Sequence, residues 1–171
     1  MLVKALRQAA MSHRVFVYGT LKTGEPNHHV ITNRENGVAQ LLGAGRTVRV
    51  FPLLIASTFN IPYLLYKPGT GHRVRGEVYG VDDQMLKLLD DFENHPTYYK
   101  RQAEDIELDD GSTLSAWAYF LVDFKEELLQ KPLLENYSSS GAHGLVYTSR
   151  YLRDRKDPKH EHYLQVKELM R

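Results

Sequence analysis

The sequence predicts an α+β fold: a small β-barrel of short strands with a few helices packed around it. Three observations carry this expectation. Short runs rich in β-branched and aromatic residues recur along the chain, each punctuated by Gly, Pro, Asn or Asp. One segment has a clean helical period among these strand-like runs. The chain has 171 residues, of which 42% are hydrophobic and 25% charged, a balance suited to one globular domain with its own core.

The first element is an apolar strand at 15–18, in "RVFVYGTLKTGEPN", ended sharply at Gly19. Residues 23–36 read as a loop with one helical turn. The stretch "GVAQLLGAGRTVRVFPLLIAS" mixes β-branched residues and Leu with glycines, and reads as two or three short strands with bends. Pro52 and Pro62 exclude a long helix there. A strand at 63–66, a Pro-Gly turn and a strand at 73–81 follow. In "DDQMLKLLDDFE", Met85, Leu88, Leu89 and Phe92 fall on one helical face. Asp82 suits the N-cap, Asp83 suits the first turn, and Pro96 is expected to stop the helix near 92–94.

Strands at 101–108 and 113–122 flank "DDG", a hairpin signal. "DFKEELLQ" is a short helical piece broken by Pro132, and "ENYSSSGAHGLVYTS" is a polar loop. The charged tail is expected to form a helix after Pro158. The domain is expected to span residues 13–150, with a leader (1–12) and the tail (151–171) peripheral to it.

Composition narrows the function classes. The net charge is +1, so no nucleic-acid footprint follows from charge, and Arg46, Arg49, Arg73 and Arg75 read as a solvated outer strand face. There is no cysteine, which excludes disulfides, thiolate zinc sites and a cysteine nucleophile. No apolar run approaches a membrane span. The opening "MLVKALRQAAMSHR" lacks the apolar core of a secretory signal. It reads as a frayed leader with Met11 as an alternative start, although its basic, acid-free composition also fits a presequence. The expected compartment is the cytosol and the expected state a monomer.

Two places invite chemistry. Asp90, Asp91 and Glu93 crowd the last turn of the predicted helix, where the helix dipole disfavours carboxylates and the acids repel one another. Either Glu93 is a carboxyl of raised pKa poised as general base and acid, or these acids face solvent and cap neighbouring loops. In "VYGTL", Gly19 lets the backbone turn and expose consecutive N–H groups, a receptor for a carboxylate or an oxyanion; an ordinary strand-to-loop turn fits equally. "GTLKTGEPN" lacks the ending of a phosphate loop, and "PGTGHRVRG" lacks a dinucleotide fingerprint. "NHH" (27–29) and "HEH" (160–162) lack metal-ligand spacing with a third ligand, so no metal is expected. His143 reads either as a pocket residue or as a partner for backbone.

"VFVYGTLKTGEPNHHVI", "FPLLIASTFNIPYLLYKPGTGHRVRGEVYGVDDQMLKLLDDFE" and "ENYSSSGAHGLVY" together resemble the gamma-glutamylcyclotransferase-like family. The likeness runs from about residue 13 to about residue 149. "NIPYLL" and "AHGL" favour its gamma-glutamylamine branch over the glutathione-cleaving branches. The leader and the tail lie outside the match.

The resemblance implies a small mixed β-barrel with a few packed helices. It implies a cofactor-independent enzyme that takes a gamma-glutamyl amine, such as gamma-glutamyl-epsilon-lysine from degraded transglutaminase crosslinks, to 5-oxoproline and the free amine. It implies Glu93 as the catalytic acid/base and Tyr18, Gly19, Thr20 and Leu21 as the substrate-binding turn. The residues suit that reaction. The substrate's own α-amine attacks its own δ-carbonyl, so the nucleophile is tethered and no protein nucleophile is needed. A base is needed, because the α-amine is mostly protonated at neutral pH, and a carboxyl can return the proton to the leaving amine. The alternatives are cyclotransferase action on glutathione or gamma-glutamyl-α-amino acids, and a non-catalytic binding module that keeps the pocket.

Overall fold

The alternation in "RVFVY" decides which way the first strand faces. Val15 and Val17 join one buried cluster, while Phe16 and Tyr18 join another. The computed structural model describes residues 1–3 and 11–168, so the expectations for the leader fall largely outside the described residues. Strand β1 (His13–Val17) pairs antiparallel with β5 (His72–Val81), and at Val15 it also meets Trp117 of β7 (Thr113–Phe120) in parallel. With β2 (Ala39–Phe51) and β6 (Lys100–Leu108), these strands close a five-stranded mixed barrel in the order β1-β5-β2-β6-β7. The short hairpin of β3 (Leu53–Ala56) and β4 (Ile61–Leu64) stands apart as a second sheet. This is the expected α+β class, with a small mixed barrel.

The barrel lumen is filled by alternate side chains, among them Phe16, Val74, Val78, Ile106, Ala118 and Phe120. Gly76 sits where a β-carbon would lie 2.5 Å from the Phe16 ring and 2.4 Å from the Val17 carbonyl oxygen. Only glycine leaves room for Phe16 there. The opposite parity, including Val15, Val17, Tyr79, Val81 and Tyr119, faces outward beneath the helix described next.

Helix α2 (Asp83–Phe92) buries Met85, Leu86 and Leu89 against that outer face, with Leu88 and Phe92 packed at its margin. It follows the short α1 (His28–Thr32), the one helical turn expected within 23–36. Asp82 caps α2, its carboxylate accepting from the Met85 N–H at 2.9 Å. The helix stops within the expected 92–94, but by a different device. Asn94 adopts a left-handed conformation (φ 50°), its N–H donates to the Asp91 carbonyl (3.2 Å), and the His95 N–H donates to the Asp90 carbonyl (2.8 Å). This is a Schellman closure, made by Asn94 rather than forced by Pro96, and it fixes Glu93 as the C-cap.

Two further expectations are corrected. The stretch 37–57 holds two strands, within the two or three expected, but the first, residues 39–51, is long rather than short. Register shifts at Leu41/Gly43 and Arg46/Val50 supply the bends that the glycines suggested. In the second break the Thr47 hydroxyl accepts from the Val74 N–H at 2.8 Å, so the buried donor is not orphaned. In the tail, the helix precedes Pro158: α3 (Arg150–Lys156) is capped by the Ser149 hydroxyl, and residues Glu161–Gln165 form only a 3-10 turn.

Candidate active site

The three acids at the end of α2 have separate fates. Asp90 accepts from Arg101 Nε (2.8 Å) and from the Tyr119 hydroxyl (2.7 Å). Asp91 pairs with Lys87 one turn back, at 3.1 Å, in solvent. Glu93 lines a cavity of about 360 Å³, as Asp91 does, but is the one of the three left without a side-chain partner. No hydrogen-bond donor among the described residues reaches its carboxyl. Burial pushes its pKa up from 4.5 to about 7, while the cations Arg150 and Arg153 pull it partly back. The raised pKa was expected from repulsion among the acids. Burial causes it instead, because the other two acids are engaged elsewhere.

The turn after β1 forms the facing wall, and Tyr18, Gly19, Thr20 and Leu21 all line the same cavity as Glu93. The Tyr18 hydroxyl is tied down, donating to the Tyr119 carbonyl at 2.7 Å. Thr20 is clamped by Asn27, whose side-chain amide donates to the Thr20 hydroxyl (3.0 Å) and whose backbone N–H donates to the Thr20 carbonyl (2.8 Å). His28 Nδ1 donates to the Leu21 carbonyl at 2.9 Å. These contacts hold the carbonyls and leave the N–H groups of Gly19, Thr20 and Leu21 without an acceptor among the described residues. Gly19 itself is not in the left-handed region. Its lack of a side chain is used differently: a β-carbon would meet Pro62 Cγ at 3.0 Å.

The tail closes a third side. From α3, Arg150 donates to the Phe92 carbonyl and lays its guanidinium 3.9 Å from the Phe92 ring centroid. Arg153, 8% exposed, donates to the Thr148 carbonyl at 3.0 Å and lies over the Tyr147 ring. Tyr163 stacks on Tyr98 with ring centroids 3.8 Å apart. The arrangement is a base of near-neutral pKa facing free backbone donors, with cations at the rim: the parts needed to take a proton from an amine and steady an anion.

Residues 15–139 match the family described as "Gamma-glutamyl cyclotransferase, AIG2-like". The chain belongs to this family. Among its relatives is the gamma-glutamylaminecyclotransferase of Mus musculus, 46% identical over 147 residues, covering 82% of this chain and 98% of that protein. The Homo sapiens protein of the same name is 42% identical, covering 80% and 96%. The crystal structure of an AIG2-like protein from Mus musculus, 46% identical, superposes with a TM-score of 0.78 over 81% of this chain and 96% of that one.

The family match spans the turn, α2 and Glu93, and stops short of α3 and the residues beyond it. Sequence reasoning missed cavity residues in both parts: Asn27, Tyr98, Tyr99 and Tyr119 within the matched segment, and Tyr147, Arg150, Arg153 and His162 beyond it. The one available signal was the Ser149 N-cap, which starts a helix with Arg150 and Arg153 three apart. Other candidates took plainer roles. The His143 ring bonds backbone only, accepting from the Leu145 N–H (2.9 Å) and donating through Nε2 to the Ser138 carbonyl (2.7 Å). His162 donates through Nδ1 to Asp157 at 2.6 Å. Among the described residues no group of three or more His, Cys, Asp or Glu could hold a metal. Three of the outer arginines pair with acids of β6 and the hairpin after it: Arg49 with Glu104, Arg73 with Glu107, Arg75 with Asp109. No helix among the described residues is long and apolar enough to cross a membrane.

Proposed function

We propose that this chain is a gamma-glutamylamine cyclotransferase, releasing 5-oxoproline and a free amine, such as lysine from gamma-glutamyl-epsilon-lysine, by intramolecular attack. One observation carries the reading. The Glu93 carboxyl is half-buried and unpaired, with its pKa pushed up to about 7 by desolvation, on a cavity it shares with a turn that has three free backbone N–H groups. The names of the relatives at 42–46% identity support the gamma-glutamylamine class.

The glutamyl head binds with its α-carboxylate on the N–H groups of Gly19, Thr20 and Leu21. Glu93, ionised, takes a proton from the α-ammonium group. The freed nitrogen attacks the δ-carbonyl carbon and closes a five-membered ring. The oxyanion that forms is steadied by the nearby donors. The carbon–nitrogen bond to the leaving amine then breaks as Glu93 returns its proton to that nitrogen, and the ring nitrogen gives up its second proton, so that both protons lost by the α-ammonium leave on the released amine as its ammonium. One ring bond forms, one amide bond breaks, and no water is consumed. A tethered nucleophile carries an effective molarity of ~10⁵ M or more, so positioning supplies much of the rate. A base with a pKa near the working pH is efficient in both directions of proton transfer.

The test is product analysis. Purified chain with gamma-glutamyl-epsilon-lysine and a chelator should release 5-oxoproline and lysine in equal amounts by mass spectrometry. Turnover of glutathione or gamma-glutamyl-α-amino acids in its place would move the chain to another branch of the family. A substrate bound but recovered unchanged in every case would make it a binding module.

A further inference from the structure

Arg153 is a buried cation with no close ion-pair partner among the described residues, although its charge reaches the Glu93 carboxyl on the same cavity. It is 8% exposed, yet no acid among the described residues forms an ion pair with it. A guanidinium carries five N–H donors in a fixed fork, and such groups are rarely buried unless paired. Here a single hydrogen bond is made, from Nη1 to the Thr148 carbonyl. The guanidinium carbon lies 5.2 Å from the Tyr147 ring centroid. The remaining nitrogens are not among the sealed, partnerless atoms of the described residues, and Arg153 is one of the residues that line the cavity.

The position of Arg153 along the cavity follows from a chain of contacts. The Asn27 side-chain amide bonds the Thr20 hydroxyl on one side and the Tyr147 hydroxyl, at 2.8 Å, on the other. Arg153 covers the Tyr147 ring. Asn27 and Tyr147 therefore stand between the turn and the guanidinium. The cavity has two anion-binding poles, one of backbone N–H groups and one of arginine. Its volume of about 360 Å³ suits a whole two-part ligand rather than a compact head group.

Cyclisation constrains the glutamyl head. Its α-carboxylate, α-amine and δ-carbonyl must all lie together beside Glu93 and the turn. That occupies the first pole. We infer that Arg153 binds a second carboxylate, carried by the leaving amine, so that the site selects gamma-glutamyl amines whose leaving group is itself an amino acid. The planar fork matches a carboxylate in two parallel hydrogen bonds. The inference rests on the cyclotransferase reading and assigns its specificity to α3, outside the matched family segment.

The experiment compares two substrates that differ by one carboxylate: gamma-glutamyl-epsilon-lysine and gamma-glutamyl-cadaverine. The wild-type chain should favour the lysine compound in kcat/KM by at least about tenfold, chiefly through KM. R153M should remove that preference: loss of the cation lets the Glu93 pKa rise and slows both compounds, and the lysine compound loses more than the cadaverine compound. R153K, which keeps the charge without the fork and serves if R153M fails to fold, should show an intermediate preference. Equal losses on both substrates, a preference unchanged in R153M, or no preference in the wild type would each overturn the inference. If the wild type turns over neither compound, the cyclotransferase reading fails separately. Calorimetric titration of the two compounds into E93Q and E93Q/R153M then decides the role of Arg153: carboxylate-dependent affinity lost with Arg153 upholds it, and its absence overturns it.

Discussion

Gly19 lies against the ring of Pro62 so closely that a β-carbon on Gly19 would sit 3.0 Å from Pro62 Cγ. That contact sets the position of the turn that lines the same cavity as Glu93. G19A is expected to fold and to lose about tenfold or more in kcat/KM, because displacing a binding turn by a fraction of an ångström is costly to catalysis. P62A removes the offending Cγ, so the double variant G19A/P62A should recover much of the loss. Steady-state kinetics on the three variants give the coupling directly.

The Asn27 clamp should matter for a second reason. Its side chain, buried and bonded to Thr20 and Tyr147, presents a neutral donor beside an anion-binding turn. N27A should lower stability by about 1–2 kcal/mol in urea unfolding, since it strands two part-buried hydroxyls. N27D keeps the shape but adds a negative charge beside the turn proposed to hold the substrate's α-carboxylate, and should raise KM further than N27A does.

Activity should follow the ionisation of Glu93. The base works as the carboxylate, and its pKa in the folded chain is about 7. The acid limb of kcat/KM against pH should therefore have its midpoint near 7, well above an ordinary glutamate. A limb centred near 4.5 would mean that burial does not raise this carboxyl.

The same burial has a stability consequence of definite sign. The pKa of Glu93 is about 7 in the folded state against 4.5 unfolded. Below pH 4.5 the group is protonated in both states and contributes no penalty. Between 4.5 and 7 the unfolded chain ionises first, so folding stability falls, and above 7 the loss is complete. Its size is about 3 kcal/mol, from a difference of 2.5 at 1.36 kcal/mol per pH unit. E93Q should thus be more stable than the wild type at pH 8 by up to this amount, and no more stable at pH 4. Urea titrations at the two pH values check it.

The parts of the fold legible in the sequence were those specified locally. The period of Met85, Leu88, Leu89 and Phe92 predicts α2, and "DDG" predicts the β6–β7 hairpin. Strand β2 was less legible, because its bulges at Leu41/Gly43 and Arg46/Val50 break the alternation without ending the strand. The tail was illegible for a different reason. Its residues are mostly charged and carry little periodic apolar signal. Their place is set by long-range contacts such as Tyr163 on Tyr98 and Lys167 donating to the Thr97 carbonyl. At the site, Glu93 stood out from the unfavourable charge at a helix end. What distinguished it from Asp90 and Asp91 was the fate of each side chain, and that depends on Arg101, Tyr119 and Lys87.

The central claim is that Glu93 moves the proton in a cyclisation that the substrate otherwise performs on itself. The most direct measurement is the turnover of gamma-glutamyl-epsilon-lysine by the wild type and by E93Q at pH 7.5, with circular dichroism to show that both are folded. The account predicts a folded E93Q whose kcat is reduced by ~10²-fold or more, the usual worth of a positioned acid–base group. A folded E93Q that releases 5-oxoproline at the wild-type rate would contradict it.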